Sequence, residues 1–417
     1  MIIFYLFDLC FCALKLKFQR EFNYDDNFTI DDFFINKIYT NITIGTPFQQ
    51  IKSYINFKEF FTFLSGNQTD IKFNYNKSNS FISNYKLEYF SIKYFSYGYN
   101  SYDNFIFNDE NNEIKFINNF SFILAMQGTL NENISLPGLI GLKIYDNTLK
   151  YKYNNFINQL KEKNIIFSYA FSINYNKDSD SEGNIIIGEY EDNNKFLLDF
   201  EFSRSEYNNY EYRLILENIT YSNYTIEKDL ITEFDLNINN IIGSTQLRDI
   251  LKQNFFDELI EKKLCNESLY MSFRMLYFKC NDTIDITKFK TIYLKFSGLG
   301  KIFELNYNDL FKKHGKIYYF LMTFDTKIPY KIGLGVPFLK KYQFIFDQDK
   351  KIIGYYKNIK KENKFHISYI LIFILFIILV LLCLLYYKIF IKRNRKTRYN
   401  ELKEDYDYTP KLILKNI

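Results

Sequence analysis

Residues 38–56 read IYTNITIGTPFQQIKSYIN, and the organisation of the whole chain follows from them. Tyr39 to Gln49 is a strand-like run that meets a Gly-Thr-Pro turn, and Ile51–Ile55 is a second strand-like stretch ending at Asn56-Phe57-Lys58. Outward from this point the same texture continues over residues 35–357. Short apolar stretches, among them Tyr89–Tyr94, Asn184–Ile187, Tyr212–Leu216 and Phe344–Phe346, alternate with Asn, Asp, Ser and Gly turns. Only Tyr151–Lys163 and Thr245–Lys263 show apolar spacing near the helical period. The pattern predicts a mainly β chain with enough strands for two barrels or sandwiches.

The order of these stretches resembles the pepsin-like aspartic peptidases. Tyr39 to Gln49 is similar to the strand that opens the first lobe of that family. Gly138-Leu139-Ile140-Gly141-Leu142 looks like the segment that crosses behind its first catalytic loop. Phe167 to Ile173 and Gly183 to Gly188 resemble the strands closing that lobe. Ile231-Thr232-Glu233-Phe234-Asp235 stands where the second loop belongs, and Cys280 with Ile292–Phe296 resembles a strand of the second lobe. Ile332 to Leu339, Phe344 to Asp347 and Ile352 to Tyr355 look like the family's closing signature. The resemblance implies a bilobal pepsin-like double β-barrel with a central cleft. Its lobes are expected at residues 37–190 and 191–357, after a short N-terminal segment at 13–36.

Family chemistry requires two aspartates, each in an Asp-Thr/Ser-Gly turn, that share one proton because like charges a few ångströms apart cannot both ionise. The first is expected nine residues past the proline, and from Pro47 that step lands on Asn56; the second falls on Asp235. Asparagine nearly matches aspartate in shape, but its amide neither takes nor gives a proton at neutral pH. Phe57 and Leu236 stand in place of the hydroxyl residues, and Lys58 and Asn237 in place of the glycines. Asp325-Thr326-Lys327 lies too late in the chain to serve as the second loop. The dyad Asn56/Asp235 is therefore expected to be inactive. Tyr94 is the positional match to the flap tyrosine, with Phe95 where the family has glycine. The stretch before the first strand carries Glu21, Asp25, Asp26, Asp31 and Asp32, unlike the basic propeptides of the family.

Two apolar segments set the expected topology. Residues 1–12 read as a signal peptide, with Cys10 and Cys12 as a small-x-small cleavage signal and no basic region before it. Ile367 to Tyr387 holds 21 residues without a charge, long enough to span a bilayer core of ~30 Å. A juxtamembrane linker at 358–366 precedes this transmembrane helix and a basic tail, 388–417, follows it. The tail carries nine Lys/Arg and four Asp/Glu, which leaves 44 of each sign elsewhere (53 less nine, 48 less four). The net charge of +5 thus sits in the tail, and no phosphate-binding stripe for nucleic acid is seen. The positive-inside rule places the tail in the cytoplasm and the N-terminal body outside it. This predicts a single-pass type I membrane protein of the secretory or endolysosomal system or the cell surface.

With Cys10 and Cys12 removed and Cys383 in the span, Cys265 and Cys280 remain as an even pair that an oxidising compartment favours as a disulfide. Ten Asn-x-Ser/Thr sequons lie between the apolar segments, as expected of a glycoprotein. Two histidines, His314 and His366, are too few for a His-rich metal site, and His314 reads as a turn residue. Neither a metal nor a cofactor is expected. Tyr399-Asn400-Glu401-Leu402 resembles the Tyr-x-x-apolar sorting signal read by clathrin adaptors, with Tyr399 and Leu402 as its contacts. The expected partner is a peptide or protein ligand held in the cleft. The other readings are an active aspartic-type endopeptidase acting in a secretory or vacuolar compartment, and a structural surface glycoprotein.

Overall fold

A computed structural model describes residues 13–21, 30, 34–66, 72–89, 95–108, 114–128, 136–143, 155–176, 181–188, 195–199, 212–270, 274–298, 301–325, 331–350, 352–356 and 380–392. The opening stretch folds as an antiparallel hairpin. Ile38–Ile44 pairs with Gln49–Asn56, with Tyr39 opposite Tyr54 and Ile44 opposite Gln49. Ile38, Thr40, Ile42 and Ile44 are buried on one strand and Ile51, Ser53 and Ile55 on the other, while the alternate residues are less so. That is the two-residue period of strands with one face in a core. Gly45 reverses the chain at φ +90°, a conformation that side chains with a Cβ adopt only at a cost.

Strands form two sheets, with fourteen and ten members among the described residues. The ten-stranded sheet is drawn from Arg213–Tyr221 through Lys331–Leu334 and builds the second lobe. The larger sheet builds the first lobe and then continues beyond it. Its outer run takes the order Lys195–Asp199, Ile352–Tyr356, Phe344–Asp347, Ala170–Tyr175, Glu182–Ile187 and Leu14–Arg20. Strands from both ends of the chain thus meet in one sheet. The architecture is mainly β and bilobal.

Residues 13–36, read as a short N-terminal segment, contain one of these strands. Leu14–Arg20 pairs antiparallel with Glu182–Ile187, from Leu14 opposite Ile187 to Gln19 opposite Glu182. Leu14, Leu16 and Phe18 are buried, while Lys15, Lys17 and Gln19 are half-buried or exposed. Its end is tied to the opening hairpin: Glu21 accepts from Lys52 at 2.6 Å and from the Tyr54 hydroxyl at 2.8 Å.

Helices are few among the described residues. Tyr151–Lys163 contains the helix Phe156–Glu162, capped by the Asn155 side chain, which accepts from Asn158 N. Thr245–Lys263 folds as Thr245–Leu251 and Asp257–Glu261 joined without a break by a wider π turn, Lys252–Phe256. Cys265 and Cys280 face each other on paired strands and form a disulfide.

Residues 358–417 form a separate unit. Its described part is helix 380–392, which runs past the expected boundary at Tyr387 to include Lys388 and Lys392. Among the described residues, no helix is long and apolar enough to cross a membrane. Residues 1–12, most of the apolar segment 367–387, Tyr94, Tyr399, Leu402 and the sequons at Asn27, Asn67 and Asn133 lie outside the described residues.

Candidate functional site

The two loop residues occupy equivalent places in the two lobes. Gln49–Asn56 runs parallel to Gly138–Gly141, with Asn56 beside Gly141, and Leu142 N donates to Asn56 O at 2.8 Å. Tyr224–Phe234 runs parallel to Lys331–Leu334, with Phe234 beside Leu334, and Asp235 N donates to Leu334 O at 3.1 Å. Behind each loop stands a glycine that backbone crowding demands. A Cβ on Gly141 would lie 2.3 Å from Glu59 O, and one on Gly335 would lie 2.2 Å from Asn240 O.

Within each loop the first residue closes the same small turn. Asn56 Oδ1 accepts from Lys58 N at 2.8 Å, and Asp235 Oδ1 accepts from Asn237 N at 2.9 Å. Asn56 therefore keeps the acceptor role of an aspartate in this Asx-type turn.

The third residue of each loop then crosses to the other. Lys58 Nζ lies 2.6 Å from Asp235 Oδ2; the lysine side chain is 57% exposed and the aspartate side chain 5%. In the opposite direction, Asn237 Nδ2 donates to Ile55 O at 2.7 Å and its Oδ1 accepts from Phe57 N at 3.0 Å. One amide thus satisfies a donor and an acceptor of the first loop at once. Both residues stand in positions the sequence marks only as lost glycines. The readable signal was that matching positions in both loops carry side chains long and polar enough to cross.

The hydroxyl positions have become apolar anchors. Phe57 and Leu236 are buried. Phe57 packs against Phe171 at 5.2 Å and Phe346 at 5.7 Å between ring centroids, and against Tyr212 at 6.3 Å. Burial pushes the Tyr212 phenol well above the usual tyrosine range, with the nearby Asp347 charge adding to it. The second loop is also held from behind. Asn36 Nδ2 donates to Leu236 O at 2.6 Å, Asn36 N to Asn237 O at 2.7 Å, and Asn239 N to Phe34 O at 2.7 Å.

Chemically, the junction presents one carboxylate, one ammonium and two amides. A buried carboxylate is costly unless it is paired and hydrogen-bonded, and Lys58 with Asn237 N meets that need. With an ammonium on Asp235, the arrangement differs from two carboxyl groups sharing a proton. Elsewhere, His314 ends the strand Phe311–His314 beside the turn at Gly315, which takes φ +58°.

The family model for eukaryotic aspartyl proteases matches residues 37–357. No curated protein matches the chain. Among solved structures, the basic 7S globulin of soybean aligns with a TM-score of 0.59 at 14% identity, covering 83% of this chain and 96% of that one. Conglutin gamma, a basic 7S globulin of lupine seeds, aligns with a TM-score of 0.61 at 13% identity, covering 83% and 95%. At such identities the globulins share the fold alone. The family model, the paired loops and the glycines behind them agree, and the chain belongs to the eukaryotic aspartyl protease family.

Proposed function

We propose that this protein is a membrane-anchored, catalytically inactive member of its family that binds a peptide or protein partner in the cleft between its lobes. The observation that carries the reading is the ion pair between Lys58 and Asp235, with Asn56 at the first aspartate position. With the Lys58 ammonium beside Asp235 where the family has a second carboxyl group, there is no pair of carboxyls to share the catalytic proton. The Asn56 amide, already committed to Lys58 N, offers no second carboxyl to share that proton. Binding of extended peptide by strand-like contacts does not need the dyad.

Anchoring through 367–387 is supported by helix 380–392, where Val380, Leu381, Leu382, Leu384, Leu385 and Ile389 are all exposed. Apolar side chains exposed along a helix suit lipid. Exposure of Asn41, Asn76, Asn119, Asn223, Asn266 and Asn281 supports a glycosylated body outside the cytoplasm. In this reading the tail offers Tyr399 and Leu402 to a clathrin adaptor.

The test is the purified protein against a broad peptide library at pH 3–7, with and without a pepstatin-type inhibitor. Binding without cleavage is the expected result. Inhibitor-sensitive cleavage would make the protein an endopeptidase, and neither binding nor cleavage would leave a structural glycoprotein. Asp235→Ala should leave peptide binding measurable in the first case and abolish all turnover in the second.

A further inference from the structure

Beside the disulfide hairpin, the second lobe carries an open hollow of about 610 Å³ whose lining contains neither Asn56 nor Asp235. Three lysines from three separate elements line it. Lys263 comes from the turn after the helix Asp257–Glu261, at φ +57°. Lys279 comes from the strand Met275–Asn281, where it stands opposite Asn266. Lys316 comes from the turn between Phe311–His314 and Ile317–Asp325. The disulfide cysteines Cys265 and Cys280 and the sequon residues Asn266 and Asn281 line it as well. Ile260, Leu264 and Ile317 supply the apolar part of the lining.

The charge here is unmatched. None of these three lysines forms an ion pair with a described residue, whereas their chain neighbours do. Lys262 pairs with Glu258, and Lys313 with Asp282 at 3.0 Å. No aspartate or glutamate lines the hollow. Three cations around one concave surface repel one another and raise the local potential for an anion. The volume falls in the range of roughly 300–1,000 Å³ typical of small-molecule sites.

We propose that this hollow binds a compact polyanion carrying two or three sulfate or phosphate groups, with the ammonium groups of Lys263, Lys279 and Lys316 as its contacts. The apolar lining receives the ring that bears those groups. This site is independent of the cleft between the lobes.

The experiment is calorimetric titration of the full chain in detergent with two probes, inositol trisphosphate and a trisulfated heparin-derived disaccharide. The two arms separate phosphate from sulfate recognition. Each is run at low and near-physiological salt, on the parent and on N266Q/N281Q, which removes the two sequons in the lining and with them any N-glycan over the hollow. The expected result is saturable one-to-one binding of at least one probe, weakened by salt. Replacing all three lysines by alanine should weaken it at least about tenfold, since every charge-assisted contact to the probe is lost together. Replacing all three by arginine keeps the charge and should hold affinity within about threefold. An unchanged melting temperature in both triple variants certifies that they are folded. The proposal fails if neither probe binds saturably at low salt. It also fails if the alanine variant binds like the parent, which would transfer the binding to the basic tail.

Discussion

Lys58→Met tests the central contact directly. An exposed ion pair is worth about 0–1 kcal/mol, whereas stranding one member of a fully buried pair costs about 3–5 kcal/mol. Here the lysine is 57% exposed and the aspartate 5%. The lysine's loss therefore strands a desolvated carboxylate that keeps only the bond from Asn237 N. Between those limits the expected cost is about 2 kcal/mol. Asp235→Asn removes the charge and keeps the Oδ1 acceptor, so Lys58→Met added to it should cost little more. The double-mutant cycle should give a coupling of about 1.5 kcal/mol. The assay is thermal and urea unfolding followed by circular dichroism, where about 2 kcal/mol should lower the thermal midpoint by ~3 °C. Because the carboxylate end is shielded from ions, most of the coupling should survive high salt. A Lys58→Met midpoint equal to the parent's, or a coupling near zero, would refute the assignment of Lys58 as the partner that Asp235 requires.

Asn237→Ala removes both side-chain bonds to the first loop, from Ile55 O and Phe57 N. The expected loss is about 2–4 kcal/mol, at about 1–2 kcal/mol for each stranded backbone group, read as a lower unfolding midpoint. Deleting residues 14–20 removes Leu14, Leu16 and Phe18 from the core, worth about 1.5–3 kcal/mol each. That is comparable with the whole stability of a typical domain, so expression should yield aggregated or protease-sensitive protein rather than a trimmed, folded body. At alkaline pH, burial pushes the phenols of Tyr221 and Tyr342 up to about 12 and raises Tyr212 further. Their folded pKa values exceed the unfolded value, so their contribution is complete below pH ~10 and is lost as pH climbs towards ~12. Unfolding midpoints should fall across that window, with a late-ionising tyrosine fraction in the ultraviolet titration.

The hairpin was readable because its cues are local: a two-residue period on each side of a turn whose glycine must reverse the chain. The loop positions were readable from spacing alone, since nine residues from Pro47 is a fixed length of strand. What Lys58 and Asn237 do was not readable in the same way. Each acts on residues about 180 positions away, and the motif has no side chain at either place to predict a reach. Leu14–Arg20 carries a clean alternation of Leu14, Leu16 and Phe18 with Lys15, Lys17 and Gln19. It follows directly on the apolar residues 1–12, and the strand it pairs with along its length lies near residue 185, so nothing local marks it as part of the larger sheet. The disulfide followed from elimination, because only two cysteines remained between the apolar segments.

The sheet that takes its strands from both ends of the chain also dictates an order of assembly. Leu14–Arg20 meets Ile38–Ile44 only at its end and is paired along its length only after Glu182–Ile187 has been made, while Ala170–Tyr175 gains its second neighbour only with Phe344–Asp347. A polypeptide synthesised from its N-terminus therefore carries an unfinished strand edge through most of its translation. Such long-range pairing folds slowly and is exposed to aggregation while it waits. Any message truncated before the codons for Ile352–Tyr356, however complete its first lobe, encodes a chain that cannot close the seam on which that lobe depends.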